Sequence, residues 1–306
     1  MKARCRRQLI TPAERRVLEF VARGSTNYQI AQALNLSYKT VSLHRSRVMR
    51  KLGLRSTSEL RRFAEGYLKL GALPGVPMHR DNHTSEASRI WSHPETIEHF
   101  AQKAPDARMI ARLQSARPDT RVLDLGCAAG RNSVWLAERG LDVWALDASL
   151  AVVGYARKRL QPYFATPEQR VINGRMDNLS AFSCCYFDFV LAFGVLHFAQ
   201  SMAEWERTLK EITRVTKVGG ELLVSHHSPR SNLDGQPLAA TAEAHVYRRA
   251  SGRCQILLEP HELDARVGQW GFVPVVPTDE VTSPTERGWR VTVRGHYRLE
   301  VQGCVE

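Results

Sequence analysis

The chain contains no apolar run approaching the ~18 residues that a membrane helix needs, and its start, MKARCRRQLITPAERR, lacks the apolar core of a secretory signal. No membrane partner is expected. The six cysteines (Cys5, Cys127, Cys184, Cys185, Cys254 and Cys304) include no C-x-x-C pair. They read as reduced thiols of a cytoplasmic protein, with no metal site. Acidic residues are scarce in one place only: residues 1–70 hold sixteen Lys and Arg against four Asp and Glu, whereas the remainder holds twenty-seven of each. The whole net charge of +12 therefore sits in the first quarter. A field so concentrated attracts polyanions, although a solvated basic arm would carry the same charge.

Two textures follow one another along the 306 residues. The first 70 are patterned as helices. TPAERRVLEFVARG offers Thr11 as a cap, Pro12 in the first turn, Glu14 as a capping box and Gly24 as a stop. TNYQIAQALNL is a second helix, a third runs from Ser37 to Gly53, and a fourth opens with STSEL and ends at Gly71. Residues 72–88, rich in Pro, Gly and polar side chains, read as a linker. From residue 89 to 306 strand-like runs (Arg121–Leu125, Asp142–Leu146, Arg170–Arg175, Phe187–Phe193, Glu221–Ser225) alternate with amphipathic helices. That alternation predicts an α/β, doubly wound, mostly parallel sheet. GFVPVVPT and GWRVTVRGHYRLEV look like an antiparallel closing pair.

On the third helix, at ~100° per residue, Val41, His44, Val48 and Leu52 share an inward side. Lys39, Leu43, Ser46 and Arg50 lie opposite, flanked by Ser42 and Arg47. Such a mixture of cations with small and apolar groups suits a helix in a major groove. The segment from Leu9 to Leu60 resembles the LuxR/GerE-type helix-turn-helix domain through T-P-x-E (Thr11, Pro12, Glu14), Gly24, N-x-x-I-A (Asn27, Ile30, Ala31), S-x-K-T-V-x-x-H (Ser37 to His44) and K-L-G (Lys51 to Gly53). The resemblance implies a four-helix domain over 1–71 that binds duplex DNA, with dimerisation on DNA. Its DNA-facing candidates are Lys39, Thr40, Ser42, Leu43, Ser46, Arg47, Arg50 and Lys51.

In the second texture, VLDLGCAAGRNS ends a strand in a turn of small residues and opens a helix. Phosphate loops and plain packing turns share this feature, but no G-K-[ST] follows and no G-x-G-x-x-G frame is present. Asp147 ends the next strand, 21 residues after Gly126, a spacing that sets a carboxylate beside a ribose diol. Asp177 can meet an adenine amino group, with Met176 beside the ring. Together D-L-G-C-x-x-G-R-N-S (Asp124 to Ser133), A-L-D-A-S (Ala145 to Ser149), R-M-D-x-L (Arg175 to Leu179) and V-L-H (Val195 to His197) resemble the class I S-adenosylmethionine-dependent methyltransferases of small-molecule type. The resemblance implies a Rossmann-like domain over 89–306 that binds S-adenosyl-L-methionine. Its cofactor-binding candidates are Asp124, Gly126, Ala128, Gly130, Asp147, Ala148, Met176, Asp177 and Phe193, with Ala128 in place of the middle glycine of G-x-G-x-G.

His197, after the fourth strand, is the candidate catalytic base, or simply a helix-start residue. His226 and His227 end the fifth strand, Cys184 and Cys185 form a vicinal pair, and Trp91 with Phe100 form either an aromatic lid or the stripe of a docking helix. After the fourth strand the chain reads AFGVLH, without the Pro-Pro-aromatic run of amino-methylating DNA enzymes, and no Pro-Cys pair occurs. DNA is thus expected as a docking partner and a small molecule as methyl acceptor. Two alternatives stay open: a regulator that uses an idle methyltransferase fold as a metabolite sensor, and an RNA or DNA methyltransferase. About 80 residues follow the fifth strand, HVYRRASGRCQILLEP among them. They can roof an acceptor chamber or merely cover the sheet edge.

Overall fold

The computed structural model describes residues 12–34, 36–52, 54, 56–70, 93–233, 235, 238–249, 252 and 254–300. Contacts divide the chain into two compact units, Met1–Asn82 and His83–Glu306. Thr11, Gly53, Gly71, the expected linker 72–88 and Trp91 lie outside the described residues, as do the side chains of Lys51 and Leu52.

Local hydrogen bonds explain where the first unit's helices begin. Helix α1 (Pro12–Ala22) stops as Gly24 takes φ +78°, and Gly24 N–H then bonds the Val21 carbonyl. Before α2 (Asn27–Leu34), Thr26 and Gln29 cap each other: Gln29 N–H donates to Thr26 Oγ1 at 3.3 Å and Thr26 N–H to Gln29 Oε1 at 2.8 Å. Ser37 Oγ accepts from Thr40 N–H at 3.0 Å at the head of α3 (Tyr38–Leu52), and Ser56 Oγ from Glu59 N–H at 3.1 Å before α4 (Thr57–Leu70). Val17, Leu18, Ile30, Val41, Val48 and Leu60 close the core of this unit.

The second unit is an eight-stranded sheet. In chain order its helices and strands begin with α5 (Pro94–Gln102), α6 (Ala107–Leu113), β1 (Arg121–Leu125), α7 (Arg131–Glu138), β2 (Asp142–Asp147), α8 (Leu150–Leu160), α9 (Pro167–Arg170) and β3 (Val171–Asn173). There follow β4 (Phe187–Phe193), a 3₁₀ turn (Leu196–Phe198), α10 (Met202–Val215) and β5 (Thr216–His227). After β5 come a small antiparallel sheet of β6 (Ala239–Ala240), β7 (Val246–Arg248) and β8 (Cys254–Ile256), then α11 (Pro260–Gly268), β9 (Phe272–Pro274), β10 (Asp279–Thr285) and β11 (Gly288–Leu299). The main sheet runs β10-β11-β5-β4-β1-β2-β3, with β9 also on β11. β1 to β5 are parallel, and β11 runs antiparallel to β5, β9 and β10.

The chain leaves β1 toward β2 and β3, then returns to pair β4 on the other side of β1. In open α/β sheets the loops diverge at such a reversal and leave a ligand crevice beyond the C-terminal ends of the strands, here those of β1 and β4. β1 and β4 have the expected bounds. β3 is shorter than Arg170–Arg175, and β5 extends to both sides of Glu221–Ser225. β10 is a strand that no sequence pattern marks. Its sequence, DEVTSPT, has no apolar alternation, because an edge strand pairs through its backbone and leaves its side chains in water.

Candidate functional site

Leu125 and Leu146 stand side by side in register, so β2 ends one residue beyond β1, at Asp147. The turn after β1 then bends over β2: Gly126 and Cys127 N–H both donate to the Leu146 carbonyl, at 2.8 and 3.1 Å. Gly126 (φ +71°) has no room for a side chain, since a Cβ there would sit 2.6 Å from Val195 Cβ. Gly130 (φ +75°) caps α7. Ala128 adopts φ +47°, so the alanine keeps the left-handed turn that glycine would take without strain, at a cost of ~1–2 kcal/mol. Helix α5 covers this turn: Ile97 and Ala101 pack with Ala129 and Val152, and Phe100 packs against the same cluster beside Ala128. Phe100 thus belongs to the apolar stripe of a docked helix.

Two carboxylates flank the turn. Asp147 Oδ2 accepts the Ala128 N–H at 3.1 Å and Oδ1 the Ser149 N–H at 2.9 Å, which ties the end of β2 to the turn after β1. Burial raises its carboxyl above the ordinary range, while the N–H groups of Ser149 and Ala128 pull the other way. Each oxygen keeps a lone pair for a further donor, such as a vicinal diol. Asp124, 2% exposed, accepts Ser133 Oγ–H at 2.6 Å. Burial pushes its pKa up to about 6, against the Ser133 bond, and the neighbouring Asp147 charge adds to the rise. Ser133 is a partner that the strand-turn-helix pattern alone did not single out as part of the site. Ala148 is exposed, and its carbonyl accepts from Asn173 Nδ2 at 3.0 Å.

Asp177 lies beyond β3 with both oxygens engaged: Arg175 Nε at 3.0 Å and Arg207 Nη2 at 3.1 Å. Arg175 also holds Glu204 at 2.7 Å. Arg207 belongs to α10, thirty residues away, and no sequence signal links it to Asp177. Lone pairs remain on the carboxylate for an amino donor. Met176, 9% exposed, packs into the core beside Leu179 and Phe182. Phe193 ends β4, and the Arg108 guanidinium lies 5.1 Å from its ring centroid.

His197 is 2% exposed in the turn after β4 and stacks on His227, ring centroids 3.8 Å apart and 16° from parallel. His226, pointing to the other face of β5, accepts Trp205 Nε1–H on Nε2 at 3.3 Å and donates Nδ1–H to the His227 carbonyl at 3.0 Å. Burial pushes its pKa down to about 4, so it stays neutral. The sequence left His197 and His227 apart, and only the pairing of β4 with β5 brings their rings together. The small sheet lies here as well: β8 contacts the 3₁₀ turn, and Leu258 N–H donates to the His227 carbonyl at 3.2 Å. Cys184 and Cys185 are exposed just before β4, at the end of the sheet away from the crevice. A cavity of about 360 Å³ between Arg112, Asp188 and Lys217 opens at that same far end, where none of the expected site residues lies. Among the described residues no group of three His, Cys, Asp or Glu is placed to hold a metal.

In the first unit, Val41 and Val48 are fully buried on α3, whereas Lys39, Ser46, Arg47 and Arg50 are exposed and Leu43 is 48% exposed. Thr40 and Ser42 are half-buried. Arg45 donates to Asn27 Oδ1 at 2.6 Å and so fastens α3 to α2.

Comparison with known proteins assigns each unit. The profile of bacterial regulatory proteins of the luxR family matches residues 8–64, and that of a methyltransferase domain matches residues 123–224. The Tetrathionate response regulatory protein TtrR of Salmonella typhimurium is 48% identical over 57 residues, 18% of this chain and 28% of its own length. The Demethylmenaquinone methyltransferase of Renibacterium salmoninarum is 34% identical over 122 residues, 40% of this chain and 47% of its own. The chain thus spans less than half the length of these curated relatives. A solved SAM-dependent methyltransferase from Methanosarcina mazei shares the fold at 18% identity, with a TM-score of 0.53 over 65% of this chain and 100% of its own. No described helix is long and apolar enough to cross a membrane. The chain therefore joins a helix-turn-helix domain of the LuxR regulatory family, over residues 8–64, to a methyltransferase domain over residues 123–224.

Proposed function

We propose that the second unit transfers a methyl group from S-adenosylmethionine to a small molecule, and that the first unit, through duplex DNA, couples this activity to transcription in the cytoplasm. The observation that carries the reading is the tie of Asp147 to the Ala128 and Ser149 N–H groups, which holds a carboxylate beside a left-handed turn of small residues. In this reading Asp147 receives the ribose diol, Asp177 and Met176 meet the adenine, and Gly126, Ala128, Ala148 and Gly130 give the ligand access to backbone. S-adenosylmethionine, when bound, supplies a methyl group already activated on a sulfonium. The chain then has to hold an acceptor in line and exclude water. Phe193 and Val195 form the floor of that space, with Asp124 and Ser133 beneath the turn. His197 lies where it can take the acceptor's proton, and the sheet β6–β8, against the 3₁₀ turn, forms the roof. On the first unit Lys39, Arg47, Arg50 and Lys51 contact phosphates, and Thr40, Ser42, Leu43 and Ser46 face the groove, in a homodimer whose protomers each present one α3.

Calorimetry with S-adenosylhomocysteine tests the cofactor site. Asp147→Ala removes two charge-assisted hydrogen bonds worth about 1.5–3 kcal/mol each, so affinity should fall at least tenfold; equal binding by wild type and variant would place the cofactor elsewhere. Release of adenosylhomocysteine from a panel of thiols, phenols, carboxylates and amines, with duplex DNA included, tests the acceptor class. Methylated DNA as the sole product would overturn the small-molecule reading.

A further inference from the structure

Three cations converge on the rim of the crevice from separate elements. Lys103 directly follows α5, the helix that covers the cofactor turn, and its ammonium lies 4.2 Å from the Phe100 ring centroid. Arg131 opens α7 directly after Gly130 and reaches back to the Ala104 carbonyl at 2.8 Å, next to Lys103. Arg290 comes from β11. That strand runs against β5, so its first residues stand where β5 stops: Ser228 N–H, one residue past His227, donates to the Val291 carbonyl at 2.9 Å. Side chains alternate along a strand, which puts Arg290, Thr292 and Arg294 on one face. It is the face of Ser225, the register partner of Arg294, whose hydroxyl accepts Arg108 Nη2–H from α6 at 2.6 Å. Lys103, Arg131 and Arg290 therefore share the side of the sheet that α5 and α6 cover.

The pairing of these charges separates them from their neighbours. Arg108 is matched by Asp106 and Arg294 by Asp279. Among the described residues no carboxylate forms an ion pair with Lys103, Arg131 or Arg290; the buried Asp124 carboxylate feels the Arg131 charge without pairing with it. Arg290 and Arg131 both lie close enough to Lys103 to repel its charge: after burial, they are what hold the Lys103 pKa below its ordinary value. Lys103 and Arg131 are half-buried and Arg290 is exposed, and like charges held together in this way cost free energy unless an anion joins them.

We propose that Lys103, Arg131 and Arg290 recognise an anionic group, a carboxylate, on the methyl acceptor. This rests on the reading of the crevice as a methyl-transfer site and narrows its substrate to a small organic acid. The other anion within reach of the same chemistry is the carboxylate of the cofactor's own methionine part, and the test separates the two. The full chain, loaded with S-adenosylhomocysteine, is titrated with 1-naphthoate and with 1-naphthamide, which share a shape and differ in charge. Naphthoate should bind at least tenfold more tightly. The triple variant Lys103→Gln/Arg131→Gln/Arg290→Gln should lose that preference while it binds adenosylhomocysteine and duplex DNA as before. The double variant Lys103→Gln/Arg290→Gln, which spares the Arg131 bond to Ala104, should lose most of it. Equal binding of the two probes by wild type, or unchanged naphthoate binding by the triple variant, would overturn the proposal. A parallel loss of adenosylhomocysteine affinity would overturn it too and assign the cations to the cofactor. A wild type that binds no adenosylhomocysteine would remove the underlying reading of the site as well.

Discussion

The two units use charge in opposite ways. In the first, sixteen cations face four acids over residues 1–70, and Lys39, Arg47 and Arg50 on α3 stand exposed. In the second, the numbers of cations and acids balance over 71–306, and the carboxylates that organise the sheet are withdrawn from water: Asp124 is 2% and Glu221 3% exposed. An exposed cation adds little to stability and much to long-range attraction. A buried carboxylate does the reverse, since it must be paired or it destabilises the fold. Substitutions in the two units should therefore register in different measurements, one in salt dependence and the other in unfolding.

The largest effect is expected at Glu221. It accepts two bonds from Arg112, at 2.7 and 2.8 Å, one from His296 at 2.8 Å and one from Arg298 at 3.1 Å. Burial alone would raise its carboxyl; the bonds from His296, Arg112 and Arg298 prevail and hold it well below the usual range. Glu221→Ala should lower the unfolding free energy of the second unit by about 3 kcal/mol, the lower end for a broken buried pair because Arg112 and Arg298 keep access to water. Urea unfolding measures it. A loss below about 1 kcal/mol would put Glu221 on the same footing as the exposed charges of α3.

Next comes Asp124. Its folded pKa of about 6 lies above the ordinary unfolded value near 4. Between these values the folded state binds more protons, so this group's contribution to stability falls as pH rises through the window. Asp124→Asn, which can still accept from Ser133, should gain on wild type by up to about 3 kcal/mol between roughly pH 4 and pH 7. His226 works the other way: with a folded value of about 4 it stays neutral, and its contribution is lost as pH falls from about 6.5 toward 4. The difference between wild type and Asp124→Asn removes the His226 contribution, because both proteins carry it. A pH-independent difference would show that Asp124 is not desolvated.

The smallest effect on stability and the clearest on salt is expected on α3. Lys39→Ala and Arg47→Ala should each change the unfolding free energy by less than about 0.5 kcal/mol. Each should reduce the slope of log affinity for duplex DNA against log salt by about one unit. Unchanged slopes would leave the basic face without a role and erase the contrast between the units.

By itself the sequence determined what short-range physics controls. Helix starts at Ser37 and Ser56, the stop at Gly24, the inward Val41 and Val48, the bounds of β1 and β4 and the turn from Gly126 to Gly130 depend on neighbours a few residues apart, and all were legible. Asp147 was legible too, because a parallel β1–β2 pair sets its spacing from Gly126. Tertiary structure alone decided the rest. Arg207 meets Asp177 across thirty residues, His197 stacks on His227, and Arg290 comes near Lys103 only because β11 runs back along β5. No apolar pattern marks β10, since an edge strand needs none, and the left-handed turn at Ala128 is held by the Asp147 carboxylate and the Leu146 carbonyl, which close around it. A side chain's own periodicity records which way it faces, but not which distant strand will arrive beside it; that is set by sheet order, and sheet order is the sum of pairings no single segment carries.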